Sequence, residues 1–304
     1  MYLYHFGLTE LPFTLTPNTS FYFPLQSHHE ALAVLSTALQ AGEGFIKVIG
    51  EVGTGKTLLC RKLLNEIPDH FITAYIPNPY LNPDELRRAL AVVLGVKQAQ
   101  RMSVQLLTQR IQTRLLELHS QGHSVVLILD EAQALPEASL EALRLFTNLE
   151  TETRKLLQVV LFAQPELDYR LAQTQFRQLR QRITFSYKLR PMNTAEVTQY
   201  IQHRMNVAGY KGANLFSERI CKKITKASHG IPRLVNILCH KMLMLIYGQG
   251  HYQITNKIVK AAIMDTEGIV RESIKLKLTK QYVAITFMIS ITVLLIYYTW
   301  EKVL

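Results

Sequence analysis

Two short stretches carry residues that could do chemistry together. The first is GEVGTGKT, Gly50 to Thr57, which fits G-x-x-x-x-G-K-[ST] and lies between an apolar run and a helical pattern, where a phosphate loop must lie. Glycines there let backbone N–H groups turn inward around phosphate oxygens, and the helix behind adds the positive end of its dipole. Gly50, Glu51, Val52, Gly53, Thr54, Gly55, Lys56, Thr57 and Leu58 are therefore the expected nucleotide-binding residues. Lys56 would reach the β- and γ-phosphates, and the Thr57 hydroxyl would bind Mg²⁺. The second stretch is VVLILDEAQ, an aliphatic run that ends in Asp130 and Glu131. A strand of this kind delivers both carboxylates to the carboxyl edge of a parallel sheet, beside the loop. Asp130 is then the second expected Mg²⁺ ligand, and Glu131 the general base for the attacking water. A lone Asp-Glu pair is ordinarily a solvated strand end; the loop upstream and the apolar run before it favour a site for ATP and Mg²⁺.

The elements that must position these groups are visible as apolar runs. FIKVIG (45–50), FITAYI (71–76), SVVLILD (124–130), LLQVVLFA (156–163) and ITFSYKL (183–189) predict five strands. Helical patterns separate them at 28–41, 55–66, 83–95, 103–120, 137–150 and onward to about 180. Strands alternating with helices predict an α/β core with a five-stranded parallel sheet over 28–190. An aromatic and proline-rich segment, 1–27, is expected to pack its rings onto a domain. From Pro191 the strand patterns stop. Helical patterns at 194–208, 216–228, 232–247 and 255–266 predict a second, all-helical domain over 191–266.

A basic linker, 267–280, carries Arg271, Lys275, Lys277 and Lys280 and leads into QYVAITFMISITVLLIYYTW, residues 281–300, which hold no charge. Twenty residues at about 1.5 Å each span about 30 Å, the hydrocarbon thickness of a bilayer. Tyr282, Tyr297, Tyr298 and Trp300 stand near its ends, where interface aromatics belong. The run therefore predicts a transmembrane helix, and the preceding cations predict that the rest of the chain faces the cytoplasm. Only Glu301 to Leu304 follow it, so a wall-binding region beyond the membrane is not expected. The net charge of +11 favours acidic partners: phosphates, an anionic membrane or nucleic acid. Cys60, Cys221 and Cys239 are odd in number and far apart, which excludes a disulfide framework and a zinc site as expectations. No basic n-region precedes an apolar h-region at the N-terminus, so no signal peptide is expected. His28 and His29 point to different sides of a helix and suit a cap or a nucleotide-side contact better than a metal. CKKITK (221–226) is read as a solvated face before a DNA-binding one.

GEVGTGKT, LILDEAQ, FAQPEL and GIPRLVNILC, in this order, with FGLTELPFTLTPNTSFYF and HHEALAVL ahead of them, resemble the AAA+ ATPases of the general secretion pathway protein A (ExeA) and MSHA pilus biogenesis protein MshM family. The resemblance covers roughly residues 3–265. It implies a P-loop AAA+ core, a helical lid and an ATP-hydrolysing enzyme. Gln164 would then be the sensor 1 residue and Arg233 the sensor 2 arginine, with Pro232 opening its helix. It also implies an arginine finger among Arg177, Arg180 and Arg182, of which Arg182, closest to the fifth strand, is favoured and Arg180 comes second. A finger acting on a neighbouring subunit implies a homo-oligomer, possibly a ring. The expected role is that of an inner-membrane ATPase that drives or regulates assembly of a type IV pilus or a type II secretion machine. The alternatives are a DNA-binding transposition helper, less favoured because such a protein needs no bilayer span, and a nucleotide-gated scaffold with negligible hydrolysis.

Overall fold

The five aliphatic runs form strands because each is rich in residues that pack well on a pleated surface and is closed by helix-starting or turn residues. In the computed structural model, which describes residues 2–16, 18–77, 79–146, 149–150 and 155–266, they are β1 (Phe45–Ile49), β2 (Phe71–Ile76), β3 (Ser124–Leu129), β4 (Leu157–Ala163) and β5 (Ile183–Lys188). The helices are α1 (Leu3–Phe6), α2 (Gln26–Gln40), α3 (Lys56–Glu66), α4 (Pro83–Val93), α5 (Val104–Ser120), α6 (Glu137–Phe146), α7 (Glu166–Leu171), α8 (Arg177–Arg182), α9 (Thr194–Val207), α10 (Glu218–Ser228), α11 (Pro232–Gly248) and α12 (Asn256–Met264).

All four strand pairings are parallel, in the order β2-β3-β4-β1-β5. Every residue of β4 is buried, as a strand covered on both faces requires. β5 alternates between half-buried and exposed and forms one edge. One face of the sheet packs with α4, α5, α6 and α7 around Leu90, Ile111, Leu143 and Leu167, and the other packs with α2 and α3 around Leu35, Leu59, Val48 and Phe162. The strand order, which periodicity cannot give, sets β1 and β3 on either side of β4. The loop after β1 and the carboxylates after β3 thereby come to the same edge as the residue after β4.

The chain divides into two compact units. Among the described residues, the sheet unit comprises Leu15–Glu196 with Ile231–Arg233, and the helical unit comprises 2–14, 197–230 and 234–266. The segment 1–27, read from sequence as one piece, therefore divides at Thr14, and it opens with the short helix α1. In the helical unit the Arg204 guanidinium donates to the Pro12 carbonyl and to the Tyr200 hydroxyl, Tyr200 donates to Asn236, and Asn236 donates to the Thr14 carbonyl. These contacts satisfy a buried cation and bind the first residues to α9 and α11.

Two helical expectations change in extent. The helix expected over 137–150 ends at Phe146, since Glu150 bridges to Lys155 in antiparallel fashion. The stretch expected to run to about 180 breaks into α7, a 3-10 turn at Thr174–Phe176 and α8, which runs directly into β5. Among the described residues no helix is long and apolar enough to cross a membrane. The expected transmembrane run, 281–300, and the basic linker lie outside the described residues.

Candidate functional site

The phosphate loop continues the sheet before it turns away. Gly50 donates its N–H to the Ala163 carbonyl at 3.1 Å, and a Cβ on Gly50 would lie 2.6 Å from the Thr54 hydroxyl, so only glycine fits. Gly53 and Gly55 lie at φ 83° and 94°, in the left-handed region that glycine enters without strain. Thr54 closes the turn with its N–H and its hydroxyl both on the Glu51 carbonyl, at 3.2 and 2.8 Å. Lys56, the first residue of α3, is 4% exposed, and its ammonium donates to the carbonyls of Gly50 at 2.7 Å and Glu51 at 3.0 Å. Burial pushes this ammonium below its ordinary pKa, against the pull of Glu131, Asp130, Glu51 and Glu166. Thr57 and Leu58 are half-buried in the first turn of α3, while Glu51 and Val52 are exposed.

Asp130 stands one residue beyond β3 and is 2% exposed. Its carboxylate accepts from the Thr57 hydroxyl and, at 2.9 Å, from the Glu131 N–H. Burial raises its pKa, and the Thr57 bond opposes that rise. A hydroxyl and a carboxylate in contact are hard oxygen donors. They fit Mg²⁺, which is commonly held by one or two protein oxygens with phosphates and waters completing its shell. Among the described residues no group of three or more His, Cys, Asp and Glu forms a protein-only metal cage.

Glu131 sits at φ 53°, unusual for a residue with a side chain. Its Oε2 accepts from Gln133 Nε2 at 2.5 Å and from Gln164 Nε2 at 2.9 Å. Gln164, the residue after β4, also donates its backbone N–H to Gln133 Oε1 at 3.0 Å. Arg170 of α7 donates to the Gln133 carbonyl at 2.7 Å. The structure thus joins Glu131 to Gln164, two residues expected at the site, through a third that the sequence reading left without a role. The signal for Gln133 was a polar side chain two residues beyond the acidic pair, in the turn that ends the strand.

Arg233 donates its backbone N–H to the Gly53 carbonyl at 3.2 Å, and a Cβ on Gly53 would lie 2.5 Å from Arg233 Cβ. The arginine backbone therefore rests directly on the loop, with its side chain exposed. Arg180 is exposed and donates to the Ala172 carbonyl at 3.3 Å. Arg182 is half-buried and donates to the Arg144 carbonyl of α6 at 3.1 Å. One further residue touches the loop. His28 of α2, 4% exposed, places Nε2 2.9 Å from the Thr54 carbonyl, and a Cβ on Gly55 would lie 2.9 Å from its ring.

A backbone cradle that opens a buried-lysine helix, with Asp130, Glu131 and Gln164 at the ends of adjoining strands, is the arrangement of a P-loop nucleotide site, and residues 39–171 match the AAA domain family. The chain is also similar to general secretion pathway protein A of Aeromonas hydrophila, with 40% identity over 269 residues, 88% of this chain and 49% of that protein. The resemblance read from GEVGTGKT, DEAQ and GIPR is therefore borne out, although the chain spans about half the length of this curated relative. Among solved structures, Cdc6p from Pyrobaculum aerophilum superposes with a TM-score of 0.61 at 19% identity, over 83% of this chain and 69% of that one. The ORC2 protein of Aeropyrum pernix, in its ADPNP–ADP complexes, gives 0.59 at 17% identity, over 83% and 72%. At such identities the likeness is one of fold.

Proposed function

We propose that this chain binds ATP at the loop 50–58 and hydrolyses it, and that it does so as a membrane-anchored, self-associating ATPase serving a secretion or pilus assembly machine. The observation that carries the catalytic reading is the convergence of Lys56, Asp130, Glu131 and Gln164 at one sheet edge. On binding, Lys56 would exchange the carbonyls of Gly50 and Glu51 for β- and γ-phosphate oxygens, which needs only rotation of a long side chain. The loop N–H groups would hold the same phosphates. Mg²⁺, when bound, would neutralise phosphate charge, with Thr57 and Asp130 as its protein ligands. Glu131 would take a proton from the attacking water as the bond from the γ-phosphorus to the bridging oxygen breaks, giving ADP and phosphate. Gln164, whose amide carries two N–H donors, can serve Glu131 and a γ-phosphate oxygen together.

Residues 191–266 are read as the nucleotide-responsive lid, with Arg233 reaching the phosphates. For the finger, a guanidinium must be free to meet a neighbouring subunit. Exposed Arg180 meets that requirement better than Arg182, which is engaged with α6. The envelope role rests on the similarity to general secretion pathway protein A and on the apolar run at 281–300. Turnover of ATP by the full chain tests the chemistry. Lys56→Ala should abolish nucleotide binding, and Glu131→Gln should bind ATP yet turn it over about 10²- to 10⁴-fold more slowly. Wild-type rates in either variant would overturn the assignment.

A further inference from the structure

Gln133 makes three hydrogen bonds within the site. Its amide nitrogen donates to the Glu131 carboxylate at 2.5 Å and its amide oxygen accepts the Gln164 N–H at 3.0 Å. Its own carbonyl accepts from Arg170 at 2.7 Å. The turn that holds it, Ala132–Ala134, is itself fixed by the Ala134 N–H on the Glu131 carbonyl at 2.8 Å and by fully buried Ala132. Glu131 stands on the end of β3 and Gln164 on the end of β4, in a left-handed and an irregular backbone position that the β3–β4 ladder does not reach. The ladder fixes the two strands; beyond it, the bonds of Gln133 and Gln164 join these two residues.

We infer that Gln133 is a positioning residue that locks the Glu131 carboxylate and Gln164 into one unit, so that base and γ-phosphate sensor move together. This deepens the ATP-hydrolysis reading and depends on it. Both amide donors fall on the same oxygen, Oε2, which leaves Oε1 of Glu131 to meet water. The second N–H of Gln164 stays available for a phosphate oxygen. The bonds of Gln133 go to Glu131, Gln164 and Arg170; it acts through the first two. Loss of Gln133 therefore affects the chemical step and not nucleotide affinity, because Lys56 and the loop N–H groups do not depend on it.

The test compares full-length wild type, Gln133→Met, Gln133→Glu, Gln164→Ala and the Gln133→Met/Gln164→Ala pair, measuring kcat, ATP affinity and thermal midpoint. Met keeps the volume and removes both bonds, whereas Glu keeps the acceptor for the Gln164 N–H and loses the donor to Glu131. The expected result is a kcat at least tenfold lower in Gln133→Met, with ATP affinity within twofold of wild type. The double variant should be no slower than the slower single, because the two residues act as a unit. Gln133→Glu should be as slow as Met or slower, since it sets a second carboxylate against Glu131. Wild-type kcat in Gln133→Met, or additive losses in the double variant, would overturn the inference. So would equal losses of kcat, ATP affinity and thermal midpoint, which would mark a folding role. If wild type itself shows no turnover that Lys56→Ala removes, the ATP-hydrolysis reading fails instead.

Discussion

His28 illustrates how a single buried group can govern a loop it does not belong to. A carbonyl only accepts, so the contact with Thr54 requires a proton on Nε2. Nδ1 is then a buried acceptor with no partner among the described residues. An orphaned polar atom costs about 1–3 kcal/mol; adding a second proton would bury a charge as well, and desolvation accordingly lowers the pKa from 6.5. The sign follows directly. Above pH 6.5 both folded and unfolded chains carry neutral His28, and its contribution is constant. As the pH falls below 6.5 the unfolded chain gains a proton that the folded one refuses, so support of the loop declines. His28→Ala should weaken ATP binding about tenfold, near 1.4 kcal/mol, through loss of the Thr54 bond and of packing on Gly55. His28→Asn, which keeps a donor, should recover part of that loss. Titration of a fluorescent ATP analogue into the three proteins checks both outcomes; equal affinities would show that the loop holds its shape without the histidine.

At the scale of elements, each proposed catalytic group leaves the end of a strand that the sequence announces. The loop at 50–57 and the pair Asp130–Glu131 were legible because glycine spacing and unbroken aliphatic runs are local signals. Gln164 was legible only by resemblance. Gln133 was not assigned, and His28 was expected only as a cap or a nucleotide-side contact; their bonds arise from contacts between β3 and β4 and between α2 and the loop, which one-dimensional spacing does not encode. The same limit hid the strand order and the division of the first 27 residues at Thr14. The start of α9 shows a local signal with a long reach. Asn193 accepts from the Glu196 N–H and donates its own N–H back to the Glu196 carboxylate, both at 2.9 Å, the reciprocal capping arrangement. The same carboxylate takes both terminal nitrogens of Arg190, at 2.7 and 2.8 Å, and Arg190 holds its pKa below the usual glutamate value. A carboxylate with a depressed pKa stabilises the fold above its ordinary 4.5 and loses that contribution as the pH falls through the lower folded value. Glu196→Ala removes cap and ion pair together and should cost about 1–2 kcal/mol at neutral pH. The gap between the thermal midpoints of variant and wild type should close in acid. A gap that persisted well below pH 4.5 would assign the loss to packing alone.

For the whole molecule, the decisive question is what the uncharged run at 281–300 does to an ATPase. The sheet unit closes its two cores without that run, and Met264 ends the last described helix. Burying twenty mostly apolar residues in a bilayer is strongly favourable, whereas leaving them in water at about 25 cal/mol per Å² of apolar surface is strongly costly. Under the proposed anchoring, the four cations just before the run would hold the nucleotide site on the cytoplasmic side. Tethering confines subunits to a plane and raises their local concentration, which favours any contact that brings an arginine such as Arg180 to a neighbour's phosphates. The full chain should therefore sediment with membranes and resist extraction by alkaline carbonate, while deletion of 281–304 should release it to the soluble fraction. The proposed nucleotide-binding groups all lie before residue 267, so the deleted form should keep its ATP affinity. Its kcat should become dependent on protein concentration, because assembly would then rely on diffusion in three dimensions. Recovery of the full chain in the soluble fraction would remove the anchor from the proposal and leave the basic surface free for a nucleic-acid role.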